Sequence, residues 1–143
     1  MAKLVKSVTI LAPVDKVFNY LAEPTNMLEV WPSMVEIKDI QQLPDGKLKY
    51  HWKYKMAGVF FEGDTDTIEI VPNQRVVAQN TGGIPSTFIW TYQAENGGTK
   101  LSVEVEYTIP MPVLGKLAEA AVVKLNEHEA DTLLANIKTR MEA

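Results

Sequence analysis

The sequence predicts an α+β fold in which a curved antiparallel sheet of about seven strands wraps around one long C-terminal helix. Three observations carry this expectation. Residues 34–109 alternate apolar and polar side chains with period 2, in segments broken by Pro, Gly and Asn turns. After Pro112 the period changes to 3.6, with no further proline to the end of the chain. Ahead of both, a β-branched segment is followed by two short stretches bounded by Pro13, Pro24 and Pro32.

Leu4–Leu11 is expected to form the first strand, with Leu4, Lys6, Val8 and Ile10 on one face. Pro13 opens a short helix in which Val14, Val17, Phe18 and Leu21 recur at helical spacing, and Pro24 closes it. Thr25-Asn26 is expected to cap a second short helix running to Trp31-Pro32. Six strands follow: Met34–Gln42, Lys47–Met56, Val59–Val71, Arg75–Asn80, Ser86–Ala94 and Thr99–Ile109. Their short connections, among them Ala57-Gly58, Pro72-Asn73, Gly82-Gly83 and Asn96-Gly97-Gly98, imply an antiparallel meander. Alternation is clearest in Lys47–Met56, where Leu48, Tyr50, Trp52, Tyr54 and Met56 oppose Lys47, Lys49, His51, Lys53 and Lys55. The C-terminal helix should reach roughly 40 Å. Its first half carries a stripe of Leu114, Leu117, Ala118, Ala121, Val122 and Leu125; its second half shifts to Ala130, Leu133, Leu134, Ile137 and Met141.

The chain has 143 residues, 46% of them hydrophobic, which suits a single domain over 1–143 with a sizeable core. Its lack of cysteine excludes disulfide scaffolds, thiolate zinc sites and cysteine nucleophiles. A net charge of −4 argues against a nucleic-acid partner. No apolar run suffices to span a bilayer, and the N-terminus does not read as a signal peptide, so a soluble cytoplasmic protein without stable membrane insertion is expected. No nucleophile elbow, P-loop or dinucleotide fingerprint is present, and no cofactor is expected.

One helix about 10 Å wide does not fill the concavity of a seven-stranded sheet. Large side chains, the two short helices or a ligand must occupy the remainder. On the inward alternation, the sheet would supply Tyr50, Trp52, Tyr54, Phe88, Trp90, Tyr92 and Tyr107 to a cavity wall, and the helix Leu117, Ala121 and Leu125. A core filled by its own side chains is the alternative reading of the same periodicity.

The order strand, two short helices, six strands and long helix resembles the helix-grip fold of the START-like (SRPBCC) superfamily, in particular its polyketide cyclase/dehydrase-like members. The opening Ile10-Leu11-Ala12-Pro13-Val14-Asp15-Lys16-Val17-Phe18 is similar to that family's first strand and helix start. Trp52-Lys53-Tyr54-Lys55-Met56-Ala57-Gly58 resembles its third strand and turn. Gly82-Gly83, Gly97-Gly98-Thr99, Glu106-Tyr107 and Asn136-Ile137-Lys138 also match. The resemblance implies a cavity between sheet and helix for a hydrophobic small molecule or lipid, with some members acting as enzymes.

Ionisable candidates are few. In Val59–Val71, strict alternation with Ile68 and Ile70 inward would also carry Glu62, Asp64 and Asp66 inward. A β-bulge near Gly63 is expected to reverse this register, with Asp64 and Asp66 retained as candidate site carboxylates. Asn126, His128, Glu129 and Thr132 lie where the two helical stripes cross. The lysine stripe of Lys47–Met56 is expected to be an outer face paired with acidic neighbours. His51 points outward on the same alternation, so a two-histidine metal site is not expected. The leading expectation is a hydrophobic-ligand or lipid-binding domain. A cyclase- or dehydrase-type enzyme using Asp64, Asp66, His128 or Glu129, and a chaperone-activator-like interaction domain, are the alternatives.

Overall fold

The computed structural model of the chain describes residues 2–109 and 115–143, the side chains of residues 115–118 excepted. Strand β1 (Ala2–Ile10) leads into helix α1 (Val14–Leu21), a single tight turn at Pro24–Asn26 and helix α2 (Met27–Val30). Strands β2 (Met34–Gln42), β3 (Leu48–Met56), β4 (Val59–Val71), β5 (Arg75–Gly82), β6 (Ser86–Glu95) and β7 (Gly98–Tyr107) follow, and helix α3 (Gly115–Glu142) closes the chain. The sheet has seven strands in the order β1-β7-β6-β5-β4-β3-β2, each pair antiparallel. Apart from the join of β1 to β7, this is the expected meander. The two short helices carry the chain from one sheet edge to the other.

The expected cap of α2 does not form. Asn26 has helical backbone angles and its amide Nδ2 instead donates to the Tyr20 carbonyl at 2.7 Å, tying the second short helix to the first. The long strand β4 does contain a bulge, but not at Gly63. Pairing with β3 runs unbroken through Trp52↔Gly63, and the register shift lies between Thr67 and Glu69. Ile68 is the extra residue and stands 49% exposed, contrary to its expected core position. Upstream of it, Phe61, Gly63 and Thr65 face inward while Glu62 and Asp64 face solvent; downstream, Ile70 turns in.

Gly63 has a different role. A Cβ built there would lie 2.1 Å from the Thr81 carbonyl oxygen and 2.5 Å from Cζ2 of Trp52. The indole of Trp52 lies against the bare backbone of Gly63, and Gly82 stands opposite Gly63 on β5. Glycine here makes room for a ring rather than for a bend.

The outer face of β2–β4 is a mesh of opposite charges, as the lysine stripe implied. Lys49 pairs with Asp66 at 3.5 Å and Lys38 with Glu36 at 3.3 Å. His51 bridges two carboxylates, Nδ1 to Asp64 at 3.1 Å and Nε2 to Glu62 at 3.0 Å. Lys53 and Lys55 sit 5.0 and 5.6 Å from the ring centre of Phe60. Hydrogen bonds to Glu62 and Asp64 raise the His51 pKa above its usual 6.5, and His51 in turn lowers that of Glu62. A raised histidine pKa contributes stability that is complete below about pH 6.5 and disappears as pH rises through the folded value. The thermal midpoint is therefore expected to lose a His51-dependent component as pH rises above about 6.5. His51→Gln should flatten that part of the profile; superimposable profiles would contradict the assignment. Glu62, with its lowered pKa, loses its contribution as pH falls from the ordinary glutamate pKa through its lower folded value.

Helix α3 presents one stripe to the sheet: Val122, Ala130, Leu133, Leu134, Ile137 and Met141 are buried. This is the expected second-half stripe continued backward. Of the expected first-half stripe, Val122 joins this inward face, while Ala121 is exposed and Leu125 is 47% exposed. Leu114, Leu117 and Ala118 lie outside the described residues and side chains. The C-terminal half is anchored. Asn136 Nδ2 donates to the Val30 carbonyl at 2.9 Å, Lys138 Nζ to the Thr9 carbonyl at 2.9 Å, and Glu142 accepts from the Leu11 amide at 2.8 Å. These bonds set the rotation of the helix, and the rotation turns Ala121 and Leu125 outward.

Candidate ligand cavity

Between the concave sheet face and α3 lies a cavity of about 120 Å³ with an opening to solvent. Its floor comes from alternate residues of the central strands. Tyr50, Trp52, Tyr54 and Met56 of β3, Phe88 and Trp90 of β6, and Val103, Val105 and Tyr107 of β7 all contribute. Period-2 geometry puts each of these sets on one face. Thr65, Ala78 and Asn80 lie between the aromatic strands, and these smaller side chains leave the volume open. Met27 and Trp31 of the short-helix segment cover one side, and Asn126, Glu129, Ala130 and Leu133 of α3 cover another.

A second, smaller cavity of about 80 Å³ lies under α1. Met27, Tyr50, Thr65, Ala78 and Trp90 line both cavities and so form the partition between them. Tyr92 belongs to this second chamber, edge-on to Phe18 with ring centres 5.2 Å apart, and not to the main one.

Aromatic rings cluster at one end of the main cavity. Trp31 is edge-on to Tyr54 at 5.3 Å and tilted against Phe88 at 5.7 Å. Polar groups are few and placed. Tyr107 Oη accepts from Asn126 Nδ2 at 3.0 Å. Glu129 Oε1 accepts from the Ser33 amide at 2.9 Å. On the floor, Thr65 donates to Asn80 Oδ1, and Asn80 Nδ2 donates to Ser86 Oγ at 2.9 Å. The indole N–H groups of Trp31 and Trp52 are buried without an acceptor among the described residues. Burial pushes the phenol pKa of Tyr54 up, with the charge of Glu129 next in effect; burial raises those of Tyr50, Tyr92 and Tyr107 as well. These phenols therefore stay protonated near neutral pH and can donate hydrogen bonds.

The candidate carboxylates Asp64 and Asp66 lie on the opposite face of the sheet, in the ion-pair mesh with His51 and Lys49. Regular pairing through Gly63 puts them there, so they line neither cavity. His128 is exposed, and Thr132 Oγ1 donates back to the His128 carbonyl at 3.1 Å. Of the residues at the stripe crossing, Asn126 and Glu129 reach the cavity. Trp31, Met27, Thr65 and Asn80 had no place in the expected wall. The signal for Thr65 was available in the run Phe61, Gly63, Thr65, Thr67, which lacks any charge. Nothing local marks Trp31, which reaches the cavity only because α2 folds over the sheet. Among the described residues no cluster of three or more His, Cys, Asp or Glu side chains has the geometry to hold a metal ion. No helix among them is long and apolar enough to cross a membrane.

Comparison with solved structures shows the same fold. The TTHA0849 protein of Thermus thermophilus superposes with a TM-score of 0.86 at 16% identity, covering 98% of this chain and 97% of that one. The Zhui aromatase/cyclase of a Streptomyces species gives 0.73 at 16% identity, with 99% and 96% covered. A START superfamily protein of Mycobacterium smegmatis gives 0.74 at 14% identity, with 96% and 97% covered. A search of curated proteins found no match. The family described as polyketide cyclase / dehydrase and lipid transport matches residues 1–142, and with the helix-grip architecture in place the chain belongs to that family.

Proposed function

We propose that this protein binds a hydrophobic small molecule in the cavity between its sheet and α3. The observation that carries this reading is an aromatic-lined volume of about 120 Å³ left open in an otherwise closed core. Natural cores tolerate few voids larger than a water molecule, because unfilled volume forfeits dispersion contacts. A dry apolar cavity of about 150 Å³ holds one benzene, so the ligand-free volume here corresponds to about one ring. Burial of apolar ligand surface, at roughly 25 cal/mol per Å², supplies the affinity, and the Tyr107–Asn126 pair and Glu129 orient the ligand.

All three tryptophans line the cavity, so their emission reports on its contents. Titration with fatty acids, sterols and aromatic polyketides is expected to give a saturable change in emission for at least one class. Absence of saturation across the panel, together with native mass spectrometry showing no co-purified molecule, would overturn the reading.

A cyclase-type activity is the second reading, and Glu129 is the observation that favours it. It is the single ionisable carboxylate among the described cavity-lining residues, and the protonated phenol of Tyr54 lies within its field. The other nominated acids and His128 lie outside the cavity, so this reading now rests on one residue. An interaction module with a filled core fits the open volume poorly.

A further inference from the structure

We propose that the main cavity selects a ring-bearing organic cation, an arylalkylamine in chemical class, with its ammonium group at Glu129. This rests on the ligand-binding reading above and names the class of ligand. No Lys, Arg or His lines the cavity among the described residues, and Glu129 is the only charged side chain that does. One carboxylate oxygen is engaged by the Ser33 amide at 2.9 Å, which holds the group in place. The second oxygen has no hydrogen-bond partner among the described residues and is left to a ligand.

The surroundings suit a positive charge. Trp31 and Tyr54 meet edge-on at 5.3 Å and Phe88 stands 5.7 Å from Trp31, a set of rings whose faces attract cations. Glu129 lines the same cavity as Trp31, Tyr54 and Phe88 and accepts from the amide of Ser33, two residues after Trp31, which puts the carboxylate next to this cluster. Its half-buried position lets an ammonium keep part of its hydration while the attached ring enters the apolar volume, so the desolvation penalty is small. A carboxylate ligand meets the opposite balance: repulsion from Glu129 and, among the described lining residues, no cation to pair with.

The test is an isosteric series read by tryptophan emission and calorimetry: 2-phenylethylamine, 2-phenylethanol and phenylacetate. The amine is expected to bind at least tenfold more tightly than phenylacetate, with the alcohol between them. In Glu129→Gln the amide oxygen still accepts from Ser33, so the fold should persist while the amine's advantage collapses. The wild-type comparison stands by itself if that variant misfolds. Phenylacetate or the alcohol binding as tightly as the amine would overturn this proposal and leave the ligand-binding reading intact. An undiminished amine preference in a folded Glu129→Gln would overturn the role of Glu129. Failure of all three probes, and of the wider panel, would remove the ligand-binding reading itself.

Discussion

Gly63→Ala is expected to destabilise the protein by roughly 3 kcal/mol or more, at or beyond the upper end of ordinary overpacking. For a chain of this size that lowers Tm by about 6–12 °C. The added methyl would lie 2.1 Å from the Thr81 carbonyl oxygen, which is backbone of the β4–β5 ladder, and 2.5 Å from the Trp52 ring. Trp52 is 4% exposed, and moving it disturbs both the core and the cavity wall. Gly58→Ala separates steric exclusion from conformational freedom. Gly58 has φ +80° with nothing within 4 Å of the added Cβ, so only the left-handed backbone penalty of about 1 kcal/mol applies. Denaturant midpoints of the two variants measure the difference. Equal costs would show that Trp52 does not need the space at Gly63.

Trp90→Ala should cost about 3–5 kcal/mol, the usual range for removing a large buried aromatic. Trp90 is 6% exposed and belongs to the partition between the two chambers. Its removal is expected to join volumes of about 120 and 80 Å³ into one. The variant should therefore gain affinity for two- and three-ring ligands relative to single-ring ones, even as its unfolding midpoint falls. A cost below about 1 kcal/mol would mean that the neighbouring side chains collapse into the space. Unchanged ligand-size preference would mean that the two chambers stay separate.

The strands were legible because strand signals are local. The bounds of β2 and β4 were readable to the residue, and the aromatic faces of β3 and β6 followed from alternation alone. Sequence resemblance pointed to the same architecture. The helix face and the bulge were not legible in this way. Ala121 and Leu125 looked like core because α3 carries two overlapping apolar stripes, and helical spacing does not say which one meets the sheet. Asp64 and Asp66 looked like site residues because a one-residue slip reverses every side chain downstream, and nothing local distinguishes a bulge at Gly63 from one at Ile68.

Sequence by itself determined the element order, the antiparallel meander, the aromatic inward faces of the sheet and the charge mesh outside it. Each of these depends on periods and turns contained within about ten residues. Only the tertiary structure decided the rotation of α3, the place of the bulge, the arrival of Trp31 over the cavity and the isolation of Glu129 inside it. Those depend on contacts between residues distant in the chain, such as Asn136 with Val30 and Glu129 with Ser33. A repeating pattern fixes which side chains share a face, but the partner elements choose which face is turned inward.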